Sequence, residues 1–351
     1  MKVDRITESW IRNKSDEFAV EQGCVFDQYR ADHVLWFFEN RLTLFQGKRQ
    51  PFVPIPAARD MLSRVFGWVK RNEEGKWVRR FTKAFWWVPK KSGKSPIAAG
   101  VMLYLLMMDG EYGQNVYCTA KDGKQANIVY EHAVKMGMKS DWLRPYLKQN
   151  KTEHWLEYAD FDSKLKRVSG DNPDSQHGLN GSCIVDELHV VTSELYEVLS
   201  EMGASRDQPL MFHVSTFGAD LDSIGKYLYD QGKLVVSGVE KNISVFHESF
   251  ELPAGISDAE LKLPDGISDE ELQRRLQPWI AANPGWGITI KPERFINDLR
   301  AVQRSTARFA KFKMLRGNQW QVGDNPALDP DAWERCKREW AWTSLSVTAG
   351  A

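Results

Sequence analysis

The sequence has few cysteines, no signal-like start and no long apolar run, and each absence excludes a class of protein. Its four cysteines, Cys24, Cys118, Cys183 and Cys336, are far apart and form no CxxC pair. A disulfide framework or a zinc ribbon is therefore not expected. The first residues, MKVDRITESWIRNKSDE, lack the apolar stretch of a secretory signal. The longest apolar run, Ile97 to Met108, contains a glycine and is shorter than the roughly 18 residues of a membrane helix. A reduced, cytoplasmic protein without a structural metal or a membrane partner is predicted.

The sequence also lacks net charge, with 47 lysines and arginines against 47 aspartates and glutamates. Any polyanion must therefore be bound by local basic patches, because the average field of the protein does not attract it. The length of 351 residues predicts about two domains.

Short apolar strands alternate with helices from residue 78 onward. The segments RFTKAFWWV, NVYCTA, LKRVS, SCIVDE and LMFHVSTFG read as strands, and SPIAAGVMLYLLMM and KQANIVYEHAVKMGM read as helices. This alternation predicts an α/β fold with a mostly parallel, doubly wound sheet covered by helices on both faces. We expect a helical N-terminal arm over residues 1–50 and the core over 51–235. A smaller lid or linker subdomain over 236–351 should contain an acidic, turn-rich insertion and one long basic helix over 293–316.

A glycine-containing loop joins the first core strand to the helix that follows. The sequence VPKKSGKS has the composition of a phosphate-binding loop (P-loop), in which backbone N–H groups at a helix N-terminus bind the anion. Lys94 would reach the β- and γ-phosphates and Ser95 would bind Mg²⁺. The rest of this nucleotide-binding set is Pro89, Lys90, Lys91, Ser92 and Gly93. The usual first glycine is replaced by Val88, and a GKS tripeptide alone is more typical of an ordinary glycine turn.

Two carboxylates, Asp186 and Glu187, end the apolar strand SCIVDE about 90 residues downstream. P-loop enzymes need one carboxylate there to hold the metal ion and often a second to deprotonate the attacking water. Side chains alternate along a strand, so the two carboxylates can serve different atoms. The pairing with the GKS loop favours an ATP- and Mg²⁺-binding site over an acidic strand end.

Three further sets of residues are weaker candidates. Ser215 and Thr216 end a later strand, where the ligands of parallel sheets bind. Arg300, Arg304 and Arg308 recur every four residues and would form one basic stripe on a helix, suited to DNA phosphates although more typical of a solvated face. Arg206 is a candidate for an arginine supplied in trans to the active site of a neighbouring subunit.

The ordered segments VPKKSGKS, SGDNPDSQHGLNGSCIVDELHV, RDQPLMFHVSTFGAD, WIAANPGWG, FKMLRGNQW and DAWERC together resemble the large terminase subunit of tailed bacteriophages. The resemblance implies an ASCE-type P-loop ATPase that packages viral double-stranded DNA into procapsids, in the cytoplasm of the infected bacterial host. It makes Lys94 and Ser95 the nucleotide and metal residues, Asp186 the metal-holding acid and Glu187 the catalytic carboxylate, with Ser215 and Thr216 coupling hydrolysis to movement. Portal protein, a small terminase subunit and a homo-oligomeric ring are the implied partners.

Large terminases usually continue into a nuclease domain, and the segment after Glu339 holds no acidic cluster. Two-metal cleavage needs several converging carboxylates, so no DNA cleavage is expected from this chain. Two alternatives stay open at this point. One is a helicase-like ATPase that depends on nucleic acid, and the other is a nucleotide-binding assembly module that no longer hydrolyses ATP.

Overall fold

The computed structural model of the protein describes residues 4–45, 49–120, 123–168 and 178–321, with only the backbone of residues 123–125. The expectations that concern Cys336, the DAWERC segment and the absence of a nuclease lie outside the described residues. So does most of the SGDNPDSQHG stretch.

Thirteen strands lie within the described residues. In chain order they are β1 (Val25–Phe26), β2 (Thr43–Leu44), β3 (Gln50–Pro51), β4 (Trp68–Arg71), β5 (Trp77–Arg79), β6 (Lys83–Trp87), β7 (Asn115–Thr119), β8 (Leu147–Asn150), β9 (Trp155–Tyr158), β10 (Ser163–Arg167), β11 (Ser182–Asp186), β12 (Met211–Ser215) and β13 (Val245–Ser249). Eight of them form the central sheet in the order β13-β6-β12-β11-β7-β10-β9-β8. All pairings from β13 to β10 are parallel, and those of β9 with β10 and β8 are antiparallel. The predicted mostly parallel sheet is confirmed.

Twelve α-helices lie in the same described part of the chain. They are α1 (Arg5–Ser9), α2 (Lys14–Glu21), α3 (Gln28–Arg41), α4 (Pro56–Gly67), α5 (Lys94–Met107), α6 (Gly123–Lys139), α7 (Ser193–Ser200), α8 (Ile224–Ser237), α9 (Asp258–Leu261), α10 (Asp269–Ala282), α11 (Pro292–Val302) and α12 (Thr306–Gly317). None of the helices in the described ranges combines the length and the apolar character that crossing a bilayer requires.

Strand β6 shows how the sheet separates two apolar cores. Ala84 and Trp86 face the core that also contains the apolar residues of α3 to α6, whereas Phe85 and Trp87 face a second core built with α7 and α8. Successive side chains of a strand point to opposite faces, so a strand buried on both sides reads as a continuous apolar run. This is the physical basis of the doubly wound α/β arrangement.

The N-terminal helices pack onto this sheet through a buried ion pair. Arg80, which is fully buried, donates to Asp16 Oδ1 at 2.7 Å and to the backbone oxygen of Ser15 at 3.0 Å. Its Nε donates to the backbone oxygen of Ile243, at 2.7 Å. One guanidinium therefore joins α2, the entry to β6 and the entry to β13.

The segment after α8 contains one strand of the central sheet and four further helices. Strand β13 lies beyond residue 235 and still pairs with β6 at the edge of the central sheet. The remaining helices, α9 to α12, enclose a third apolar core that includes Leu263, Trp279 and Phe295. The division of the chain at residues 50 and 235 stays a prediction.

The prediction of one long basic helix over 293–316 is wrong, because α11 ends at Val302 and α12 begins at Thr306. Ser305 caps the second helix by accepting from the backbone N–H of Arg308 at 3.5 Å. The side-chain amide of Gln303, the C-cap of α11, bonds both backbone groups of Leu263, at 2.7 and 2.8 Å. Serine is a favoured N-cap, which suits the start of a second helix at Thr306.

Candidate functional site

The site lies at the carboxyl edge of the central sheet, where ligands of α/β proteins bind. Strand β12 separates β6, which leads into the GKS loop, from β11, which ends at Asp186. A strand inserted between these two is the arrangement expected of an ASCE-type P-loop protein. Because β6, β12 and β11 are parallel neighbours, their carboxyl ends bring residues about 90 and 120 positions apart in sequence to one edge.

The loop between β6 and α5 has the backbone of a phosphate-binding turn. Gly93 is the N-cap of α5, with φ at +82°, and Lys91 also has a positive φ, at +78°. The backbone N–H of Val88 donates to the carbonyl of Ser215 at 3.0 Å, which ties the loop to β12. The ammonium of Lys94 is buried and donates to the carbonyl of Val88 at 3.4 Å. Burial lowers the pKa of Lys94, while the nearby carboxylates oppose this shift.

The two carboxylates stand beside this loop. Glu187 Oε1 lies 3.9 Å from the ammonium of Lys94. Asp186 is buried, and its Oδ1 accepts from the backbone N–H of Glu187 at 3.0 Å. Burial, together with the charge of Glu187, raises the pKa of Asp186 to about 6. Glu187 itself has a φ of +55°, a left-handed conformation that is uncommon for a residue with a side chain.

Thr216 and His189 hold the other oxygen of Glu187. Thr216 Oγ1 donates to Glu187 Oε2 at 3.4 Å, and Nδ1 of His189 lies 3.2 Å from the same oxygen. The Oγ of Ser215 accepts from the backbone N–H of His189 at 3.2 Å. The ends of β11 and β12 are therefore joined by side-chain contacts around the carboxylate of Glu187.

The last helix, α12, contacts the same loop. The backbone N–H of Lys90 donates to the carbonyl of Leu315 at 2.8 Å, and Arg316 donates to the carbonyl of Lys90 at 3.3 Å. A Cβ placed on Gly285, in the NPGWG segment, would lie 3.7 Å from Cα of Ser92. Asn283, from the same segment, donates to the carbonyl of Arg316 at 2.7 Å. The segments WIAANPGWG and FKMLRGNQW thus meet at the loop.

Asn318 and Trp320 anchor the RGNQW segment to the end of β12. Asn318 is fully buried, and its Oδ1 accepts from the backbone N–H of Phe217 at 2.9 Å. Its Nδ2 donates to the carbonyl of Phe250 at 3.0 Å. The ring of Trp320 stacks on Phe217, with 4.7 Å between the ring centroids. Phe217, two residues after the end of β12, is therefore in direct contact with the segment that follows α12.

The arginines predicted from sequence belong neither to the loop nor to the strand ends described above. Arg206 donates to the carbonyls of Tyr112 and Gly113, just before the amino end of β7. Arg300 and Arg308 are exposed on α11 and α12, and Arg304 lies in the break between those helices, where it pairs with Asp265 at 3.2 Å. The predicted single stripe is not continuous because the helix that would carry it is interrupted.

His189, Asn283 and Asn318 were not predicted as site residues, although each lies in a segment that resembles the terminase family. The histidine of DELH follows the paired carboxylates by two residues, and Asn318 has a positive φ of +50°, a conformation that asparagine tolerates better than most residues. Their partners are distant in sequence, so only the folded chain identifies the contacts.

The residues present suit a nucleotide and a divalent cation. The buried Oγ of Ser92 has no hydrogen-bond partner in the loop, and the loop leads into the N-terminus of α5. An anion bound there would accept from the hydroxyl and from backbone N–H groups. The carboxylate of Asp186 and the hydroxyl of Ser95 offer the oxygen ligands that Mg²⁺ prefers. Loop, lysine, acidic pair and strand order together define a P-loop ATPase.

Comparisons with known proteins agree with this class and specify the family. The model of the family described as terminase large subunit, ATPase domain matches residues 58–233, just over half of the chain. The chain therefore belongs to the family of terminase large subunit ATPase domains. The terminase large subunits of Lactococcus phages SK1 and p2 are each 25% identical to it over 213 residues. That alignment covers 58% of this chain and 39% of either relative, so the chain matches well under half the length of these curated relatives.

A solved structure supports the fold over a longer stretch. The crystal structure of the HK97 bacteriophage large terminase superposes with a TM-score of 0.67 at 22% sequence identity. The match covers 88% of this chain and 58% of that chain. The predicted P-loop fold is thereby confirmed beyond the segment that the family model matches.

Proposed function

We propose that this chain is the ATP-hydrolysing motor of a phage large terminase, which moves viral double-stranded DNA into a procapsid. One observation carries the proposal. Lys94, Asp186, Glu187 and Thr216 converge at the carboxyl edge of the sheet, within a chain of the terminase ATPase family. A nucleotide-binding module without hydrolysis has no need of a second, separately held carboxylate at this point.

The residues divide the chemistry between binding and proton transfer. The loop of residues 89–95 would bind the phosphates, with Lys94 at the β- and γ-phosphates. Ser95 and Asp186 would hold Mg²⁺, which neutralises charge on the phosphates when it is bound. Glu187 would orient the attacking water and accept its proton, since its position 3.9 Å from the ammonium of Lys94 places the carboxylate beside the phosphate-binding loop.

In the proposed motor, hydrolysis would move DNA by changing the contacts between the sheet and the C-terminal segment. Ser215 and Thr216 would couple the two, because Thr216 contacts Glu187 and the next residue, Phe217, contacts Asn318. Residues 236–351 would act as the lid or linker. Arg300, Arg304 and Arg308 would contact DNA phosphates, and Arg206 would act on a neighbouring subunit. A homo-oligomeric ring, portal protein and a small terminase subunit would complete the motor in the cytoplasm of the infected host.

The test measures ATP hydrolysis and DNA movement by the purified chain. We expect double-stranded DNA to raise the rate of ATP hydrolysis and ATP to drive displacement of a triplex-forming oligonucleotide from linear duplex DNA. Lys94→Ala should abolish both activities, while Lys148→Ala, which removes an exposed lysine from β8, should leave them unchanged.

Two other outcomes would support the alternatives. Separation of the strands of a forked DNA, in the absence of procapsids, would favour a helicase-like ATPase. Tight ATP binding without hydrolysis, with or without DNA, would favour an assembly module and overturn the motor assignment.

A further inference from the structure

His189 lies between the two strand ends that form the site. It follows β11 within the short turn of residues 188–190. Its Nδ1 is 3.0 Å from Oγ of Ser215 and 3.2 Å from Oε2 of Glu187. One ring nitrogen is therefore within hydrogen-bonding distance of a side chain from each strand end.

The hydrogen-bond network fixes the position of the ring proton. The hydroxyl of Ser215 donates its only proton to the carbonyl of Thr216, at 2.8 Å. Its oxygen can then only accept, and it accepts from the backbone N–H of His189 at 3.2 Å. The second contact, from Nδ1, requires that Nδ1 carries the proton. Burial also lowers the pKa of His189 to about 4, so the ring is neutral near pH 7.

Three side chains lie within contact distance of the carboxylate of Glu187 in the described part of the chain. They are Lys94 at 3.9 Å, His189 at 3.2 Å and Thr216 at 3.4 Å. A bound triphosphate would attract the ammonium of Lys94 away from Glu187, because its negatively charged oxygens would compete with the carboxylate for the same cation. With the ammonium turned toward phosphate, the donors that remain on the carboxylate are the histidine N–H and the threonine hydroxyl.

We propose that His189 is the positioning residue for Glu187, and that its Nδ1–H holds the carboxylate at a fixed position relative to Ser215 at the end of β12. The inference rests on the proposed function, since it assigns a partner to the base of that reaction. His189 itself touches no reacting atom. Its single Nδ1 proton is shared between Glu187 and Ser215, so a shift of β12 changes the donor that the carboxylate receives.

The packing around the ring leaves little freedom for another arrangement. A Cβ on Gly225 would lie 3.0 Å from Cα of His189, and one on Gly218 would lie 3.3 Å from the ring. Two glycines thus allow α8 and the end of β12 to approach the histidine closely. Tight packing also means that a substitution can lower stability without any effect on Glu187, so the test must separate the two.

Three substitutions place or remove the donor. Asparagine puts an amide N–H near the position of Nδ1, glutamine puts it near the position of Nε2, and leucine has no donor. We expect His189→Leu and His189→Gln to lower kcat for ATP by about 10- to 100-fold, the range seen when outer partners of a site are lost. His189→Asn should recover to within about fivefold of wild type, because it alone restores the donor to Glu187. The KM for ATP should change by less than about twofold in all three, because no phosphate contact is removed.

A double-mutant cycle gives the decisive readout. If His189 acts through Glu187, His189→Leu should barely change the single-turnover rate of ATP hydrolysis in a Glu187→Gln background. If the two residues act independently, the losses caused by the two substitutions should add. Equal losses in both backgrounds, or an asparagine variant as slow as the leucine one, would overturn the positioning role. A leucine variant that fails to fold leaves the comparison of asparagine with glutamine, which decides the matter by the same criterion. Wild-type turnover in Glu187→Gln alone would instead refute the base assignment of the proposed function.

Discussion

Replacing Glu187 with glutamine should stop hydrolysis while preserving, or strengthening, nucleotide binding. Glutamine keeps the length of the side chain and an oxygen that can accept from Thr216 and His189, but it cannot take a proton from water. General-base catalysis contributes about 10²- to 10⁴-fold, or about 3–5 kcal/mol of barrier, so kcat should fall by that factor.

The effect on affinity follows from the contact between Lys94 and Glu187. Unit charges at the observed 3.9 Å attract by at most about 4 kcal/mol at an effective dielectric constant of about 20. The carboxylate is one-quarter exposed, so solvent and salt reduce the usable part to about 1 kcal/mol. ATP must compete with this attraction in the wild type and not in the variant. Glu187→Gln should therefore bind ATP up to about fivefold more tightly.

Steady-state phosphate release measures kcat, and titration with a fluorescent ATP analogue measures the dissociation constant. Glu194→Gln is the matched control, because it removes an exposed carboxylate from the first turn of α7 and should change neither quantity. A Glu187→Gln variant that binds ATP and turns over within about threefold of wild type would refute the assignment of the base.

Three further predictions concern stability. Gly232→Ala should lower the free energy of unfolding by at least about 2 kcal/mol, because the added Cβ would lie 2.0 Å from Nδ1 of the buried His247. Urea denaturation measures this loss. A loss below roughly 0.5 kcal/mol, the size of an ordinary surface change, would contradict the prediction. Burial lowers the pKa of His247 to about 3, so below about pH 6.5 this residue gains a proton in the unfolded chain but not in the folded chain. His247→Leu should therefore remove about 1.4 kcal/mol of acid destabilisation per pH unit between about pH 6.5 and 4. An unchanged slope of unfolding free energy against pH, measured by urea titration, would refute the reasoning. Asn318→Ala should lower the free energy of unfolding by about 2–4 kcal/mol, because the backbone N–H of Phe217 and the carbonyl of Phe250 lose their hydrogen bonds to this side chain. Wild-type stability in the same assay would show that water replaces them.

The sequence alone determined the parts of the molecule that depend on local patterns. The start of α5 at Lys94 follows from a glycine turn with Pro96 in the first helical turn. The strands that end at Asp186 and Ser215 follow from short apolar runs bounded by polar residues. Because parallel strands place their carboxyl ends at one edge, the convergence of the loop with the acidic pair was predictable as well.

Only the tertiary structure decided the contacts between segments distant in sequence. The side chain of Gln303, at the end of α11, bonds the backbone of Leu263 across 40 residues, a contact that no helical pattern reveals. The place of β13 beside β6 depends on strand pairing across more than 150 residues. The link from His189 to both Glu187 and Ser215 exists because β11 and β12 are neighbours in the sheet. Local propensity acts over a few residues, whereas these contacts become available only when the sheet has formed.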